Sequence, residues 1–279
     1  MSTAKHASVP PGARPGVGPL LRDWRMRRRR SQMDLALDAG VSPRHLSYVE
    51  TGRARPSPAT LLALAQCLEV PLRERNDLLL AAGFAPRYAE RTLNATEMAS
   101  ARAALERILA AHDPLPGLVV DRLWNVVLAN QGASMLAQLL PPALREPTIN
   151  VFRASLHPDG LARYTRNLAE WTPIALGALR RQAQRFGDAR LQALLTEVQT
   201  YPNVQAALAD RALPAAGAPM PLIVPYELDL PDLGAVRFFT TLTTFGTPRD
   251  ITLEELCVEL FYPADDASAS QLRAAVRGT

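Results

Sequence analysis

The segment Gln32–Thr51, which reads QMDLALDAGVSPRHLSYVET, decides the fold of the N-terminal part of the chain. It predicts two short helices joined by a tight turn. Gly40 can adopt the left-handed conformation that favours the end of the first helix, and Ser42 followed by Pro43 suits the start of the second. Ala36 is small, as a close crossing of two helices requires. Apolar residues that would hold this crossing recur at Leu35, Val41, Leu46 and Val49.

Further helices are predicted on both sides of this pair. Val17–Arg29 carries an apolar stripe at the i, i+3, i+4 and i+7 positions of a helix. Ser31 and Ser57 are each placed to cap a helix N-terminus. A fifth helix is predicted from about Leu72 to Ala82. The sequence therefore predicts a module of five short helices over residues 17–83.

The charge of the chain is divided unevenly. Residues 1–91 contain 15 Lys and Arg against 8 Asp and Glu, a net charge of +7, whereas residues 92–279 have a net charge of −3. Of the 31 basic residues, 30 are arginine. A genome that favours G+C-rich codons accounts for the excess of arginine over lysine, but not for the uneven distribution. The basic N-terminal third predicts a module that binds a polyanion.

The rest of the chain predicts an α+β domain. Residues 84–111 are interpreted as a linker with a connecting helix at Met98–Ala111. Short β-rich runs at Gly117–Asp121 and Trp124–Ala129 predict a hairpin. Residues 151–213 are mostly helical in pattern. Three more strands are predicted towards the end of the chain: Pro221–Leu230, Ala235–Phe245 and Glu255–Tyr262.

Several classes of protein are disfavoured by the composition. No apolar run reaches the roughly 18 residues of a transmembrane helix, and the N-terminus lacks the apolar region of a secretory signal. Cys67 and Cys257 are too far apart in sequence for a zinc motif, which fits a reducing cytoplasm. The common hydrolase, metalloprotease, phosphate-loop and dinucleotide-binding motifs are missing. We therefore expect a cytoplasmic protein that is not an enzyme and requires no metal or cofactor.

The crossing pair and the residues after it, SQMDLALDAGVSPRHLSYVETGRARPSPATLLALAQCLEV at Ser31–Val70, resemble the lambda-repressor-like helix-turn-helix of the XRE family of transcription regulators. In that family the second helix of the motif enters the major groove, so the resemblance implies a double-stranded DNA partner. Gln32, Arg53 and Arg55 would then contact the phosphate backbone. Six residues at the second helix would face the DNA: Ser42, Pro43, Arg44, Ser47, Tyr48 and Thr51.

The chemistry of these side chains suits DNA. Arg44 can donate two hydrogen bonds to O6 and N7 of guanine, worth about 1–3 kcal/mol of discrimination between bases. The helix N-termini at Ser31 and Ser42 would present N–H groups to phosphate. The run Arg25–Arg30 would add salt-sensitive attraction, although such a run also occurs as a solvated helix face. Crossing helices also occur in protein-interaction modules such as antitoxins, and that alternative stays open.

Three segments carry a second resemblance: DRLWNVVLAN at 121–130, NVFRASLHPDGLARY at 150–164 and TFGTPRDITLEELCVELFYPAD at 244–265. They look like the MmyB-type ligand-binding domain that follows a helix-turn-helix in many bacterial regulators. The resemblance implies a PAS-like fold over residues 112–265 and an apolar, fatty-acid-like ligand. Residues 1–16 and 266–279 are interpreted as a flexible arm and a C-terminal tail.

The second domain offers eight large apolar side chains for a pocket: Trp124, Phe152, Trp171, Phe186, Phe238, Phe239, Phe245 and Phe261. Those predicted to contact the ligand are Trp124, Phe152, Trp171, Phe238 and Phe245. Asn130 and Arg153 are predicted to pair with a ligand carboxylate. The alternative for the aromatic residues is a place in the core, and for the polar pair a bond to backbone or to a surface acid.

Together these features predict a multidomain transcription regulator, with an all-α five-helix DNA-binding domain followed by an α+β PAS-like sensor domain. A small-molecule effector would change operator affinity by linkage. A homodimer is expected, because helix-turn-helix dimers bind half-sites about 34 Å apart. Two alternatives are an antitoxin-like or scaffold module without small-molecule sensing, and an enzyme on the second domain.

Overall fold

The computed structural model describes residues 16–210, 222–231 and 233–277. The chain divides into two compact units. Unit 1 contains the N-terminal residues up to Glu90 together with Pro248–Glu254, and unit 2 contains Arg91–Thr247 and the residues from Glu255 onward. The predicted arm at residues 1–16 lies outside the described residues, apart from Gly16.

Five helices form the N-terminal part of unit 1, as the sequence predicts: α1 (Val17–Arg27), α2 (Gln32–Asp38), α3 (Pro43–Glu50), α4 (Pro58–Cys67) and α5 (Leu72–Ala81). A serine caps each of α2, α3 and α4. The hydroxyl oxygens of Ser31, Ser42 and Ser57 each accept a hydrogen bond, at 3.1 Å, from the backbone N–H three residues later. Each cap satisfies an N–H that has no partner inside its helix, which explains where these helices begin.

The crossing of α2 and α3 is held by the residues that the sequence pattern indicates. The side chains of Leu35, Leu46 and Val49 and the small Ala36 are fully buried. Gly40 has a φ of +65°, in the left-handed region that favours glycine. This turn places the start of α3 directly after α2, so the two helices can pack through their apolar sides.

A close approach between α1 and α3 is an additional feature that the sequence pattern does not predict. A Cβ atom added at Gly18 would lie 2.5 Å from the Val49 carbonyl oxygen and 2.7 Å from that of Glu50. Both neighbours are backbone atoms, which cannot turn away as a side chain would. Gly18 therefore allows α1 to pack against the C-terminal end of α3.

Unit 2 combines helices with a sheet. The helices that follow α5 are α6 (Ala99–His112), α7 (Gln131–Gln138), α8 (Pro142–Arg145), α9 (Val151–Leu156), α10 (Leu168–Phe186), α11 (Ala189–Gln199), α12 (Pro202–Ala209), α13 (Ile251–Glu255) and α14 (Asp266–Arg277). All of them belong to unit 2 except α13, which lies in unit 1 apart from its last residue. The strands that the structure describes all belong to unit 2. Its strands are β1 (Gly117–Val120), β2 (Val126–Ala129), β3 (Tyr226–Leu230), β4 (Gly234–Thr244) and β5 (Cys257–Pro263). Within the described ranges, no helix is both long and apolar enough to cross a membrane.

The strands form an antiparallel sheet in the order β2-β1-β5-β4-β3. The predicted hairpin is β1 and β2, and β5 lies in the centre between β1 and β4. One face of the sheet packs against the helices: Val120 shares a buried cluster with Leu176 and Leu179 of α10. The predicted α+β architecture is thus confirmed, and the predicted C-terminal tail contains a helix, α14.

Residues 248–254 connect β4 to β5 in sequence but fold as part of unit 1. The N–H of Ile251 donates to the Ala89 carbonyl oxygen at 2.9 Å. The Glu254 carboxylate accepts a hydrogen bond from the N–H of Leu72 at 2.6 Å. Leu72 is the first residue of α5, and the preceding Pro71 makes no side-chain cap. The 248–254 segment therefore completes the N-terminus of α5 with a carboxylate, which the helix dipole favours.

Candidate functional sites

The α3 helix presents the residues predicted to face DNA on one side. Exposed or half-buried residues on that side and at its ends are Ser42, Pro43, Arg44, Ser47, Tyr48 and Thr51. Leu46 and Val49 lie on the opposite side and are fully buried. The helical period thus separates an anchoring side from a polar side that can contact another molecule.

Arg44 and Tyr48 form a pair one turn apart on the exposed side of α3. The Nε–H of Arg44 donates to the Tyr48 hydroxyl at 3.0 Å, and the guanidinium carbon lies 5.4 Å from the centre of the tyrosine ring. This pair holds the guanidinium in place while leaving its two Nη groups unbonded to the residues that the structure describes. Those are the groups that a bidentate contact with a guanine would use.

The N-termini of α2 and α3 differ in their capacity to bind an anion. At α2, the Ser31 hydroxyl donates to the Asp34 carboxylate at 2.7 Å, so a negative charge already occupies the first turn. The first turn of α3 contains no acidic residue, and it begins with Pro43 after the Ser42 cap. Because backbone N–H groups at a helix N-terminus attract phosphate, α3 offers the better site of the two.

Gln32 belongs to a buried polar network that the sequence analysis missed. Its amide Nε2 donates to Glu50 Oε2 at 2.7 Å. Arg25 binds the same carboxylate through two hydrogen bonds, Nε to Oε1 at 2.7 Å and Nη2 to Oε2 at 2.9 Å. The network ties α1, α2 and α3 together beside the surface of α3. No local signal marks it, because Arg25 and Glu50 are 25 residues apart in sequence.

The ionisation of Glu50 depends on these partners. Burial alone would raise the pKa of its carboxyl group, but the hydrogen bonds from Arg25 and Gln32 outweigh burial and hold the pKa below the usual value. The carboxylate therefore stays charged at neutral pH. A charged Glu50 keeps Arg25 inside the unit, where it has little exposed surface.

Most of the arginine run at residues 25–30 is used inside unit 1. Four of its five arginines have intramolecular partners: Arg25 binds Glu50, Arg27 binds Asp23, Arg28 donates to the carbonyl oxygens of Leu68 and Glu69, and Arg30 binds Asp38. From its sequence, this run was predicted to add salt-sensitive attraction to DNA. Its positive charge is partly neutralised by internal carboxylates, so we expect a weaker contribution than the residue count implies.

The two arginines after α3 have different environments. Arg53 is exposed, and its backbone N–H donates to the Tyr48 carbonyl oxygen at 2.8 Å, which keeps its position close to α3. Arg55 instead donates from Nε to the Ala82 carbonyl oxygen at 2.9 Å and lies over the ring of Phe84. Arg53 can reach a phosphate without losing an internal bond, whereas Arg55 has a structural role at the C-terminal end of α5.

Unit 2 contains an apolar cavity of about 650 Å³, counted with its opening to solvent. The wall comes from the sheet, from α7 and α9, and from the connections between them. Its lining residues are Pro116, Leu118, Val126, Ala129, Ala133, Leu136, Ala137, Leu140, Ile149, Val151, Ala154, Ser155, Leu161, Tyr226 and Phe261. The apolar lining of this cavity suits an apolar small molecule.

The aromatic residues predicted to contact the ligand do not line this cavity. Trp124 and Phe152 pack edge to face in the buried cluster beneath α10, with ring centres 5.0 Å apart. Phe238 is fully buried on β4, Phe245 follows the end of that strand, and Trp171 stacks on Tyr226. Apart from Phe245, these aromatic residues pack in the core of unit 2 instead, and the contact of all five with a ligand stays a prediction. Phe261, named as one of eight candidates, does line the cavity.

The two polar residues predicted to bind a ligand carboxylate also have structural partners. Asn130 caps α7 by accepting from the N–H of Ala133, and its amide donates to the Leu115 carbonyl oxygen at 2.8 Å. Arg153 donates two hydrogen bonds to the Glu197 carboxylate, from Nε to Oε1 and from Nη2 to Oε2, each at 2.7 Å. Neither lines the cavity. Asn130 thus bonds to the backbone and Arg153 to an acidic side chain, as the alternative interpretation of these two residues predicts.

The cavity wall has a sequence signal that was overlooked. Ala129, Ala133 and Ala137 recur every four residues from the end of β2 along α7, and all three line the cavity. Small side chains at a helical spacing leave room beside a sheet, where large ones would fill it. Within the described part of the chain, no group of three or more His, Cys, Asp or Glu residues is placed to hold a metal ion.

Comparisons with known protein families cover both units. The family described as the MmyB-like transcription regulator ligand binding domain matches residues 101–275, and a helix-turn-helix domain family matches residues 17–78. Among curated proteins, no significant relative is found. The first match spans more than half of the chain. The chain therefore belongs to the MmyB-like transcription regulators and joins a DNA-binding helix-turn-helix domain to a ligand-sensing domain.

Proposed function

We propose that this regulator binds a specific DNA operator through α3, and that an apolar small molecule in the cavity of unit 2 changes its affinity for that operator. One observation carries the sensing half of the proposal: none of the fifteen residues that line the cavity is charged. When an apolar ligand covers an apolar surface of this kind, water is excluded from both, which favours binding.

The DNA-binding half of the proposal is supported by α3, which has a buried apolar side and an exposed polar side. Arg44 is exposed, is held by Tyr48 and keeps both Nη groups for a base edge. Ser42 caps a helix N-terminus that has no acidic residue in its first turn, which suits a phosphate. Arg53, exposed just after α3, can add a second phosphate contact. We propose that Arg44 selects the sequence and that the other contacts position the helix.

The ligand is proposed to be an apolar chain. The cavity is lined almost entirely by apolar side chains, as is typical of sites that bind apolar small molecules. A fatty-acid-like molecule, which the family resemblance implies, would place its chain against the aliphatic wall formed by residues such as Leu118, Leu136 and Ile149. The same wall would accept other chains of similar length.

The proposed mechanism is linkage between the two binding events. A ligand that binds one conformation of the protein more tightly shifts the population towards it, and operator affinity changes by the same coupling free energy. We propose that the regulator acts as a homodimer, since two α3 helices about 34 Å apart would contact successive major grooves. The expected location is the cytoplasm, and we propose no catalytic activity because both family matches describe regulatory modules.

Base recognition is tested with the full-length chain. After selection of a preferred site from random DNA, Arg44→Ala is expected to relax the preference at one base-pair position. Arg53→Ala is expected to weaken binding to all sequences and to reduce the salt dependence of log K by about one. Gel-shift titrations at several salt concentrations measure both effects. Equal losses on specific and unrelated DNA for both variants would contradict the assignment of Arg44.

Ligand control is tested by filling the cavity. Ala137→Phe places a ring where Ala137 lines the wall, whereas Ala110→Phe, on an exposed position of α6, is the matched control. The first variant should lower the affinity for a fluorescent long-chain probe at least tenfold and abolish the effect of the probe on operator binding. Its operator affinity without the probe should remain. The antitoxin-like or scaffold alternative would be favoured by two results together: the chain binds no operator, and a protein partner co-purifies with it.

A further inference from the structure

The strand β4 extends beyond its neighbour β3 and leaves a stretch of sheet edge. The two strands pair only from Gly234 to Phe238 of β4, whereas β4 continues to Thr244. Beyond Phe238, β4 pairs with β5 on one side. On its other side, no strand of the described residues pairs with it. The second half of β4 is therefore an edge of the sheet.

The direction of the backbone groups shows which residues of β4 face this edge. Successive residues of a strand direct their N–H and C=O groups to opposite sides. Arg237 directs both groups towards β5, because its N–H donates to Ser268 Oγ and its carbonyl oxygen accepts from the N–H of Ala264. Both partners follow β5 in the chain. The groups that face the edge beyond β3 thus belong to every second residue: Thr240, Leu242 and Thr244. The described part of the chain offers them no backbone hydrogen bond on that side.

The other two edges of the sheet bond to neighbouring segments of the chain. At β2, the N–H of Val126 donates to the Ile149 carbonyl oxygen at 2.8 Å. At β3, the carbonyl oxygen of Glu227 accepts from the N–H of Arg166 at 2.9 Å, and its N–H donates to Asn167 Oδ1 at 3.2 Å. Folded proteins cover an edge in this way, or protect it with charged residues or proline, because a bare edge pairs readily with another chain.

The edge of β4 has a palindromic sequence without such protection. Residues 239–245 read FTTLTTF, with Leu242 at the centre, and contain neither a charged residue nor a proline. Leu242 is 51% exposed although it is apolar. Two antiparallel copies of this segment, related by a two-fold axis at Leu242, place leucine opposite leucine, threonine opposite threonine and phenylalanine opposite phenylalanine. Threonine pairs and aromatic pairs across neighbouring strands are favourable.

A two-fold axis at Leu242 also suits the backbone. Leu242 would lie opposite its own copy, and Thr240 would lie opposite Thr244 of the second copy. Residues opposite one another exchange two hydrogen bonds when their backbone groups face the partner strand, as these do. An axis at Thr241 would instead place Thr244 opposite Phe238, which already pairs with β3. The axis at Leu242 therefore uses each of the backbone groups that face the edge.

We propose that two copies of the chain pair antiparallel through residues 239–245, so that their sheets join into one. The pairing deepens the proposed function, on which it rests, because it assigns the interface of the proposed homodimer to residues of unit 2. None of these residues lines the cavity, and none is among those predicted to face DNA. The partner that this edge fits is a second copy of the same chain.

Sedimentation of the full-length protein over a range of concentrations tests the pairing. Wild-type protein is expected to dimerise. Leu242→Pro removes an N–H that faces away from β5, so the bonds between β4 and β5 remain, and proline is tolerated at such an edge. In the dimer it removes both hydrogen bonds of the central pair, so the dissociation constant should rise at least about tenfold. The matched control Leu242→Ala keeps the N–H and should weaken the dimer less. Thermal unfolding monitors the fold.

A cross-link keeps the test decisive if Leu242→Pro fails to fold. In the proposed pairing Thr241 lies opposite Thr243 of the second copy, in a pair without hydrogen bonds whose Cα atoms are about 4.5 Å apart. A disulfide spans about 4.4–6.8 Å between Cα atoms. The double variant with Thr241→Cys and Thr243→Cys should therefore oxidise to a covalent dimer. Each single variant lacks the opposite cysteine and should not. Mass spectrometry distinguishes this bond from one through Cys67 or Cys257.

The possible outcomes distinguish the edge pairing from the rest of the proposed function. A monomeric wild-type protein would overturn the pairing. A wild-type dimer that Leu242→Pro leaves equally tight, with no cross-link between the two introduced cysteines, would overturn it also and would place the dimer interface elsewhere. A wild-type dimer that binds no operator in gel-shift titrations, but loses affinity on Leu242→Pro, would support the pairing and contradict the proposed DNA binding.

Discussion

Two sites differ in how their residues are spread along the chain: the recognition surface, which is the exposed side of α3 predicted to face DNA, and the cavity of unit 2. The residues predicted to face DNA lie between Ser42 and Thr51, whereas the cavity wall draws on positions from Pro116 to Phe261. One helix places the first group at a fixed period. The second group meets only through strand register and helix packing. A surface on one helix can therefore be recognised in sequence, and a cavity between several elements cannot.

The contacts that hold α3 in place, unlike the residues on its exposed side, come from distant parts of the chain. The α3 helix is held by contacts with distant parts of the chain: Glu50 binds Arg25, and the backbone at Val49 approaches Gly18. Unit 1 also includes the 248–254 segment, more than 150 residues away. If these contacts stabilise unit 1, the residues of the recognition surface are close together in sequence, but the position of α3 depends on residues far from it. Substitutions at Glu50, Gly18 and Glu254 remove these contacts one at a time.

The largest effect is expected for Glu50→Ala. Removing this carboxylate leaves the Arg25 guanidinium buried without its partner, which typically costs about 3–5 kcal/mol of unfolding free energy. The matched control is Asp23→Ala, which breaks the exposed pair with Arg27 and should cost less than about 1 kcal/mol. Hydrogen exchange of amides in unit 1 measures both. Similar small costs for the two variants would mean that α3 needs no long-range support.

A smaller loss is expected for Gly18→Ala. The added methyl group would meet the backbone oxygens of Val49 and Glu50, so α1 and α3 must separate, at a cost of about 1–3 kcal/mol. Gly16→Ala is the control, since a Cβ atom at Gly16 meets nothing within 4 Å. The control should cost less than about 1 kcal/mol, as is usual for a change at a helix N-cap. A stability of Gly18→Ala equal to wild type in chemical denaturation would refute the close approach.

The third prediction concerns the 248–254 segment. Glu254→Ala removes the acceptor that binds the N–H of Leu72 and should destabilise unit 1 by about 1 kcal/mol, the usual value of a helix cap. Glu254→Gln keeps an acceptor oxygen and should lose less. Increased hydrogen exchange in the first turn of α5, relative to α4, is the expected readout. Unchanged exchange there would show that the segment does not support α5.

The smallest effect is a pH dependence of unit 1. Because the pKa of Glu50 is lower in the folded state, its contribution to stability is complete above the pKa of an unfolded glutamate and is lost as the pH falls through the folded value. Between pH 7 and about pH 3, wild-type protein should therefore lose more stability than Glu50→Gln, whose amide does not titrate in this range. Parallel curves for the two proteins, from denaturation at each pH, would contradict a lowered pKa.

The helices of unit 1 were largely predictable, because their signals are local. Ser31, Ser42 and Ser57 form the predicted caps, and Gly40 adopts the predicted turn. The helix-turn-helix resemblance was confirmed by the family match at residues 17–78. The contacts of the predicted DNA-binding residues with DNA remain predictions. The Arg25–Glu50 pair was missed, since a charged residue that becomes buried looks the same in sequence as one that stays in water.

The residues that line the cavity were not predictable in the same way. Residue size favoured Trp124, Phe152 and Phe238, but these three side chains pack in the buried core of unit 2. The cavity lies where alanines on α7 face the sheet. Asn130 and Arg153 have the chemistry to bind a carboxylate, yet other groups of the protein occupy them. The type of a residue shows which hydrogen bonds and ion pairs it can form. Which partner it has depends on the folded structure.

Sequence patterns alone predicted an all-α helix-turn-helix part followed by an α+β part, the five helices of unit 1 and the polar side of α3. Periodicity, capping residues and turn residues act over a few positions, so they can be recognised along the chain. Two features could be seen only in the folded chain: which arginines bind internal carboxylates, and where unit 2 keeps an apolar space. Those features depend on side chains from distant segments that share the same small volume, where packing and desolvation decide which groups find partners.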